Sequence, residues 1–216
     1  MKNETILILC AHNDDQILGC GGTFAKYAKE GKKVKTIIFS YGENSHPHFK
    51  PGIIKKTRKK EAEESDKILG GSGIKFLSLA DAQFKRELKE KNIKEVIAKI
   101  IKKEKPSKIF THNNGEMHPD HNAVHSLVKE LINERIINCD VYLFEIWTVL
   151  KVKKNLPTMI VDISQTYKTK VNAMKAHRSQ YNLPGVIGLR WKMYFNAILN
   201  GWNNKYKYAE VFYKLK

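Results

Sequence analysis

The chain has 216 residues, 42% of them hydrophobic, with a formal net charge of +17. That length and apolar content suit one domain, 1–216, with a sizeable core, and exclude a disordered chain. Three cysteines without a CxxC pair, no apolar run of membrane-spanning length and no secretory leader exclude a disulfide framework and cysteine-ligated zinc, and predict a cytoplasmic protein.

The elements alternate along the chain. "TILILCA" (5–11) reads as a strand, followed by a helix over 15–31 that Gly31 closes. "KVKTIIFSY" (33–41) is the next strand, then a helix over 54–69 stopped by Gly70-Gly71, and "IKFLSL" (74–79) a third strand. A helix over 87–105 ends before Pro106; "SKIFTH" (107–112) is a strand, 120–136 a helix and "VYLFEIW" (141–147) a strand. Beyond residue 150 the rhythm changes: a helix over 163–181, a break at "LPGVIG" (183–188), a helix over 189–201 and a last strand in "KYKYAEVFYKL" (205–215). Strand–helix alternation predicts an α/β fold, a Rossmann-like, doubly wound and mostly parallel sheet with helices on both faces, finished by C-terminal helices and a final strand.

In such a sheet ligands sit outside the carboxyl ends of the strands. That rule gathers His12, Asn13, Asp14 and Asp15 after the first strand, Gly42, Glu43 and Asn44 after the second, Asp81 after the third and "HNNGEMHPDH" (112–121) after the fourth. Two adjacent acids leaving an apolar run are costly unless a cation meets them. "AHNDDQ" (11–16) alone reads as a strand-to-helix turn with Asn13 or Asp14 as N-cap. "HPDH" (118–121) at the same sheet edge tips the balance toward a metal site: histidines three apart across a first helical turn project alike, and Pro119 suits the first helical position. His12, Asp15 and His121 then make a His₂Asp ligand set, with Asp14 left as a base and His118 as an acid.

These motifs resemble those of the LmbE/PIG-L family of zinc-dependent N-acetylglucosamine deacetylases, whose usual first motif is A-H-P-D-D-E. "SYGE" (40–43), "RKKEAEESDKILG" (58–70), "KVNAMKAHRSQ" (170–180) and "AEVF" (209–212) extend the likeness along most of the chain. The resemblance implies zinc on His12, Asp15 and His121, Asp14 as general base, and His118 protonating the leaving amine or steadying the oxyanion. It implies that Asp120 orients an imidazole, most plausibly that of His118, and that Arg58, Gly42 and Glu43 meet the substrate, a small N-acetylated amino-sugar conjugate. The ligand set would also accept Fe2+, Co2+ or Ni2+. Asn13 and Gln16 depart from the family's Pro and Glu, so a member that keeps metal without turnover stands as one alternative.

The other alternative is a polyanion-binding protein, suggested by the charge. The lysines, however, are spread through "KKTRKKEAEE" (55–64), 85–105 and "KVKKN" (151–155), which reads as solvated surface, so no dedicated nucleic-acid site is expected. "GCGG" (19–22) fails as a dinucleotide fingerprint because Phe24 occupies the third glycine position; Gly21 and Gly22 are expected to let a helix approach the sheet. His46 and His48 are expected in an exposed loop, His125 to pack or face solvent, and His177 to hydrogen-bond. The aromatics of 189–213 are expected in the core, with a sugar platform, a nucleic-acid surface or a homo-oligomer contact as the alternatives.

Overall fold

The computed structural model describes residues 4–46, 48–148 and 156–216. Its elements run β1 (Thr5–Cys10), α1 (Asp15–Lys29), β2 (Lys33–Ser40), α2 (Pro51–Leu69), β3 (Ile74–Leu79), α3 (Phe84–Glu90), α4 (Ile93–Glu104) and β4 (Lys108–His112). They continue with α5 (Pro119–Asn133), β5 (Asp140–Phe144), β6 (Thr158–Asp162), α6 (Tyr167–Ala176), α7 (Arg178–Tyr181), α8 (Pro184–Asn203) and β7 (Ala209–Lys214). One seven-stranded sheet has the order β3-β2-β1-β4-β5-β7-β6. Pairing is parallel from β3 to β5, and β7 runs antiparallel to both β5 and β6. The strand order reverses between β1 and β4, the point where a doubly wound sheet opens a crevice.

The surroundings of β1 explain why its sequence is apolar without interruption from Ile6 to Cys10. Ile6, Ile8 and Cys10 enter the core under α1, α2, α6 and α8, while Leu7 and Leu9 enter the core under α3, α4 and α5. Both sheet faces are covered, so period-two alternation is lost. Each such Leu or Ile removed from water contributes about 1.5–3 kcal/mol. On α5 the buried positions Val124, Leu127, Val128 and Leu131 follow helical spacing. His121 lies one turn before them on that face and is therefore fully buried.

Several sequence expectations change. The helix expected over 87–105 begins at Phe84 and is broken at Asn92, whose φ is 47°. The helix expected over 163–181 starts at Tyr167 and is interrupted at His177. "LPGVIG" is the first turn of α8, with Pro184 in the position where its missing N–H costs nothing. β6 has no counterpart in the sequence reading. The lysine cluster at 151–155 lies outside the described residues.

The glycines and aromatics also act differently from expectation. Gly19 brings α1 onto the sheet, since a Cβ there would come within 2.6 Å of the Phe144 ring. Gly21 and Gly22 instead admit Lys170 and Ile163 from the α6 side. α8 buries small or aliphatic residues, Val186, Leu189, Ala197 and Gly201, and turns Trp191, Phe195 and Trp202 outward at 59%, 60% and 81% exposure. Its large rings are thus not core residues. Among the described residues no helix is long and apolar enough to cross a membrane.

Candidate metal centre and adjoining cavity

The site lies at the carboxyl ends of β1 and β4, on either side of the strand-order reversal. Asp14 stands at the N-cap position of α1, yet its side chain makes no capping hydrogen bond. Its Oδ1 accepts from Arg58 Nη2 at 3.3 Å, while Arg58 Nη1 donates to the carbonyl of Gly42 at 2.9 Å. The next residue, Asp15, turns the other way. Its Oδ2 accepts from the His12 amide at 2.7 Å and lies 3.2 Å from His112 Nε2, and its Oδ1 lies 3.5 Å from His121 Nε2. The adjacent acids therefore face separate cationic or imidazole surroundings, which relieves their repulsion.

His12 sits between the two loops. Its Nε2 is 3.1 Å from Asp81 Oδ1 and 3.4 Å from Asp120 Oδ2, and its Nδ1 is 3.8 Å from Asp15 Oδ2. Burial works against a charge on this ring, but Asp120, Asp81 and Asp15 outweigh it and push the pKa up to about 10. Acids that favour a proton there favour a divalent cation for the same electrostatic reason. Burial would raise Asp15, yet His121, His112 and His12 hold its carboxyl well below the usual range. His112 is pushed down to about 4 by burial and by His121.

Among the described residues, three groups of side chains bring their donor atoms close enough to share an ion: His12, His118 and His121; His12, Asp81, His118 and Asp120; and Asp15, His112 and His121. The ligands expected from sequence, His12, Asp15 and His121, are distributed over these overlapping groups, and His121 belongs to two of them. His112 and Asp81 were not among the expected ligands. His112 ends β4, a strand buried on both faces, so the sequence gives no clue to which side the ring turns; its place beside Asp15 shows only in three dimensions.

Two local features fit a cation. The ring nitrogens of His121 are both buried and have no hydrogen-bond partner, an expensive state for an imidazole. The Ala11 amide donates to His112 Nε2 at 3.0 Å, which makes that nitrogen an acceptor facing another acceptor, Asp15 Oδ2. Such lone pairs repel unless a positive charge lies near them. The donors are imidazoles and carboxylates without thiolate, a set suited to zinc and similar ions.

The HPDH segment supplies more than a ligand. His118 is the N-cap of α5, and its Nδ1 accepts from the Asp120 amide at 3.3 Å. The neutral ring thus carries its proton on Nε2, as assigned from that hydrogen bond. Burial, then His12 and His121, lower its pKa. Asp120, expected to orient an imidazole, most plausibly that of His118, has its Oδ2 3.4 Å from His12 Nε2 and accepts from the Ala82 amide at 2.9 Å.

A cavity of about 470 Å³ opens onto this cluster. Asp14, Arg58, Asp81, Asn44, Ser45 and Gln180 form its polar side, and Trp147, Leu183, Val186 and Leu189 its apolar side. Glu43 stands behind the wall, accepting from the Ser40 hydroxyl at 3.2 Å and the Asp81 amide at 3.2 Å. Gln180 is tied to the Ser45 hydroxyl at 3.1 Å, and Ser179 donates twice to Glu61 of α2. His46 reaches the Ser179 carbonyl at 2.6 Å, whereas His48 is exposed. His177 bonds Ser65 at 3.2 Å and His125 bonds the His112 carbonyl at 3.1 Å; neither lines the cavity. Asn13 donates to the Arg58 carbonyl at 2.9 Å and Gln16 to the Asn13 carbonyl at 2.7 Å, so both departures from the family motif buttress the turn.

Residues 7–132 match the family described as GlcNAc-PI de-N-acetylase, PIG-L. The diacetylchitobiose deacetylase of Thermococcus kodakarensis is 26% identical over 229 residues, covering 96% of this chain and 82% of that protein. The structure is similar to the N,N'-diacetylchitobiose deacetylase from Pyrococcus horikoshii, with TM-score 0.79, 24% identity, and coverage of 99% of this chain and 84% of that one. At the same TM-score, 0.79, it is similar to GalB, the 4-carboxy-2-hydroxymuconate hydratase from Pseudomonas putida KT2440, with 20% identity over 99% of this chain and 96% of that one. One fold thus serves a deacetylase and a hydratase, and the reaction has to be argued from the site.

Proposed function

The chain belongs to the PIG-L family, and on that premise we propose that it is a zinc-dependent hydrolase removing the acetyl group from an N-acetylglucosamine-type conjugate. The observation that carries this reading is the buried His121 imidazole, without a hydrogen-bond partner, facing an Asp15 that lines the cavity together with His12, Asp14 and Arg58. His12, Asp15 and His121 would hold the ion, and Fe2+, Co2+ or Ni2+ would suit the same donors. When bound, a divalent ion supplies Lewis acidity for the amide carbonyl and lowers the pKa of water.

The protein groups account for the remaining chemistry. Hydrolysis joins a water oxygen to the acetyl carbon, breaks the C–N bond and leaves acetate and a free amine. Asp14 takes a proton from the water during attack, its carboxylate held in place by Arg58. His118 presents Nε2–H and steadies the oxyanion without surrendering that proton. The expected role of His118 as proton donor to the amine requires an imidazolium, which the acceptor role of Nδ1 and the lowered pKa both oppose. Return of the proton to the amine nitrogen therefore falls to Asp14.

The cavity supports the substrate class. A pyranose has a hydroxyl-bearing rim and apolar C–H faces; the Arg58, Asp81, Asn44 and Gln180 side offers hydrogen bonds, and Trp147 offers a ring. Relatives named as acting on diacetylchitobiose and on N-acetylglucosaminyl malate belong to the same class of sugar amide.

Metal analysis combined with an acetate-release assay on a panel of N-acetylglucosamine conjugates tests this reading. One zinc per chain with acetate release supports it. Metal without release on any of them favours a member that has lost turnover, another divalent ion in place of zinc corrects the metal alone, and absence of any divalent ion overturns the site itself.

A further inference from the structure

Glu116 entered no sequence expectation. It follows β4 in the loop before the HPDH segment, and its carboxylate is fully buried. It receives three hydrogen bonds from one stretch: the Ile146 amide at 2.8 Å, the Trp147 amide at 2.5 Å and the Thr148 hydroxyl at 2.9 Å. The oxygen that accepts from Trp147, Oε2, also faces His121 Nδ1 at 3.6 Å, just beyond hydrogen-bond range. Trp147 lines the cavity, and His121 Nε2 points at Asp15.

We propose that Glu116 is a positioning residue that holds the His121 proton on Nδ1, leaving the Nε2 lone pair for the metal, and that it anchors the Trp147 wall through the same oxygen. An imidazole presents a lone pair on one nitrogen only when its proton is fixed on the other. A carboxylate is acceptor-only, so all four groups around Glu116 must donate, and that requirement selects the Nδ1–H form of His121. An amide in its place must turn one NH₂ toward a donor. Two neighbours can reorient, the Thr148 hydroxyl on Oε1 and His121 on Oε2; with the NH₂ on the Oε2 side, His121 Nδ1 becomes an acceptor and Nε2 gains the proton.

The inference rests on the zinc reading for its consequence, but the tautomer itself is measured without metal. Nitrogen-15 NMR of the apoprotein should show His121 as Nδ1–H in the wild type and as Nε2–H in Glu116→Gln. Chelator competition should show zinc affinity lowered roughly 10–100-fold in Glu116→Gln, with Glu116→Asp, which keeps an acceptor-only carboxylate, recovering most of it. A wild-type apoprotein carrying the proton on Nε2 overturns the proposal even if the variant fails to fold. So does a Glu116→Gln protein that loses stability while keeping the wild-type tautomer and zinc affinity, since that is what a purely structural anchor would do. A wild type with Nδ1–H that binds no zinc would instead sink the zinc reading and leave the role of Glu116 in setting the tautomer standing.

Discussion

At the scale of single residues, the proposed mechanism turns on a division of labour between Asp14 as base and Asp15 as ligand. Asp14→Asn should keep zinc bound and slow acetate release by about 10²–10⁴, the usual contribution of a positioned base; full activity in that variant would remove Asp14 from the role. Gly42 is a second test. It has a φ of 64°, and an added Cβ would come within 2.8 Å of the Arg58 guanidinium carbon. Gly42→Ala should raise KM about tenfold, equivalent to losing one charged hydrogen bond, with a backbone cost of about 1–2 kcal/mol. An unchanged KM would mean that Arg58 does not depend on that turn. His177 gives a pH signature away from the metal. Burial, partly offset by Asp14, pushes its pKa down to about 4, below the unfolded value near 6.5. The folded ring resists protonation, so its contribution is complete above about pH 6.5 and is lost as pH falls toward 4, by roughly 3 kcal/mol in all. His177→Asn should therefore show a shallower fall of melting temperature between about pH 7 and pH 4.5 than the wild type; parallel curves would contradict it. The motif residues were legible because their chemistry is dense in sequence. Glu116, His112 and the Asp120–His12 contact were not, because each depends on which side of a strand end or loop a side chain turns.

At the scale of elements, the strands from β1 to β5 were legible because continuous apolar runs with glycine or proline boundaries have few other uses. β6 was not: its five residues alternate in exposure at the sheet edge, and β7, which pairs with it, arrives about fifty residues later. The break in α1 was equally hidden. Cys20 leaves helical geometry, with φ −145° and ψ 21°, and a buried ion pair repairs the ends. Glu210 accepts from the Gly22 and Thr23 amides at 3.0 and 2.8 Å, and Lys170 donates to the Leu18 carbonyl at 3.1 Å and to Glu210 at 2.6 Å. Lys170→Met removes one partner and leaves a buried carboxylate, which should destabilise the fold by about 3–5 kcal/mol in denaturant unfolding. The double variant with Glu210→Gln should recover part of that loss. Equal stability of the single variant and the wild type would show that the pair does not hold the two halves of α1 together.

At the scale of the whole molecule, the charge of +17 is the feature that most invites a different function. The described ion pairs are scattered, as with Lys94 between Glu130 and Glu134, and Lys35 with Glu104, in keeping with a solvated surface. Binding to generic duplex DNA should therefore be weak and collapse between about 50 and 200 mM salt; tight, salt-resistant binding would revive the polyanion reading. The strand-order reversal brings residues from 12 to 121 within reach of one ion, and that convergence is the central claim. Anomalous diffraction at the zinc edge from crystals grown with zinc tests it most directly. One peak is expected, with Asp15 oxygen and histidine nitrogens of His12 and His121 at about 2.0–2.2 Å. A peak held by His112, Asp81 or Asp120 without His121, or no peak at all, would contradict it.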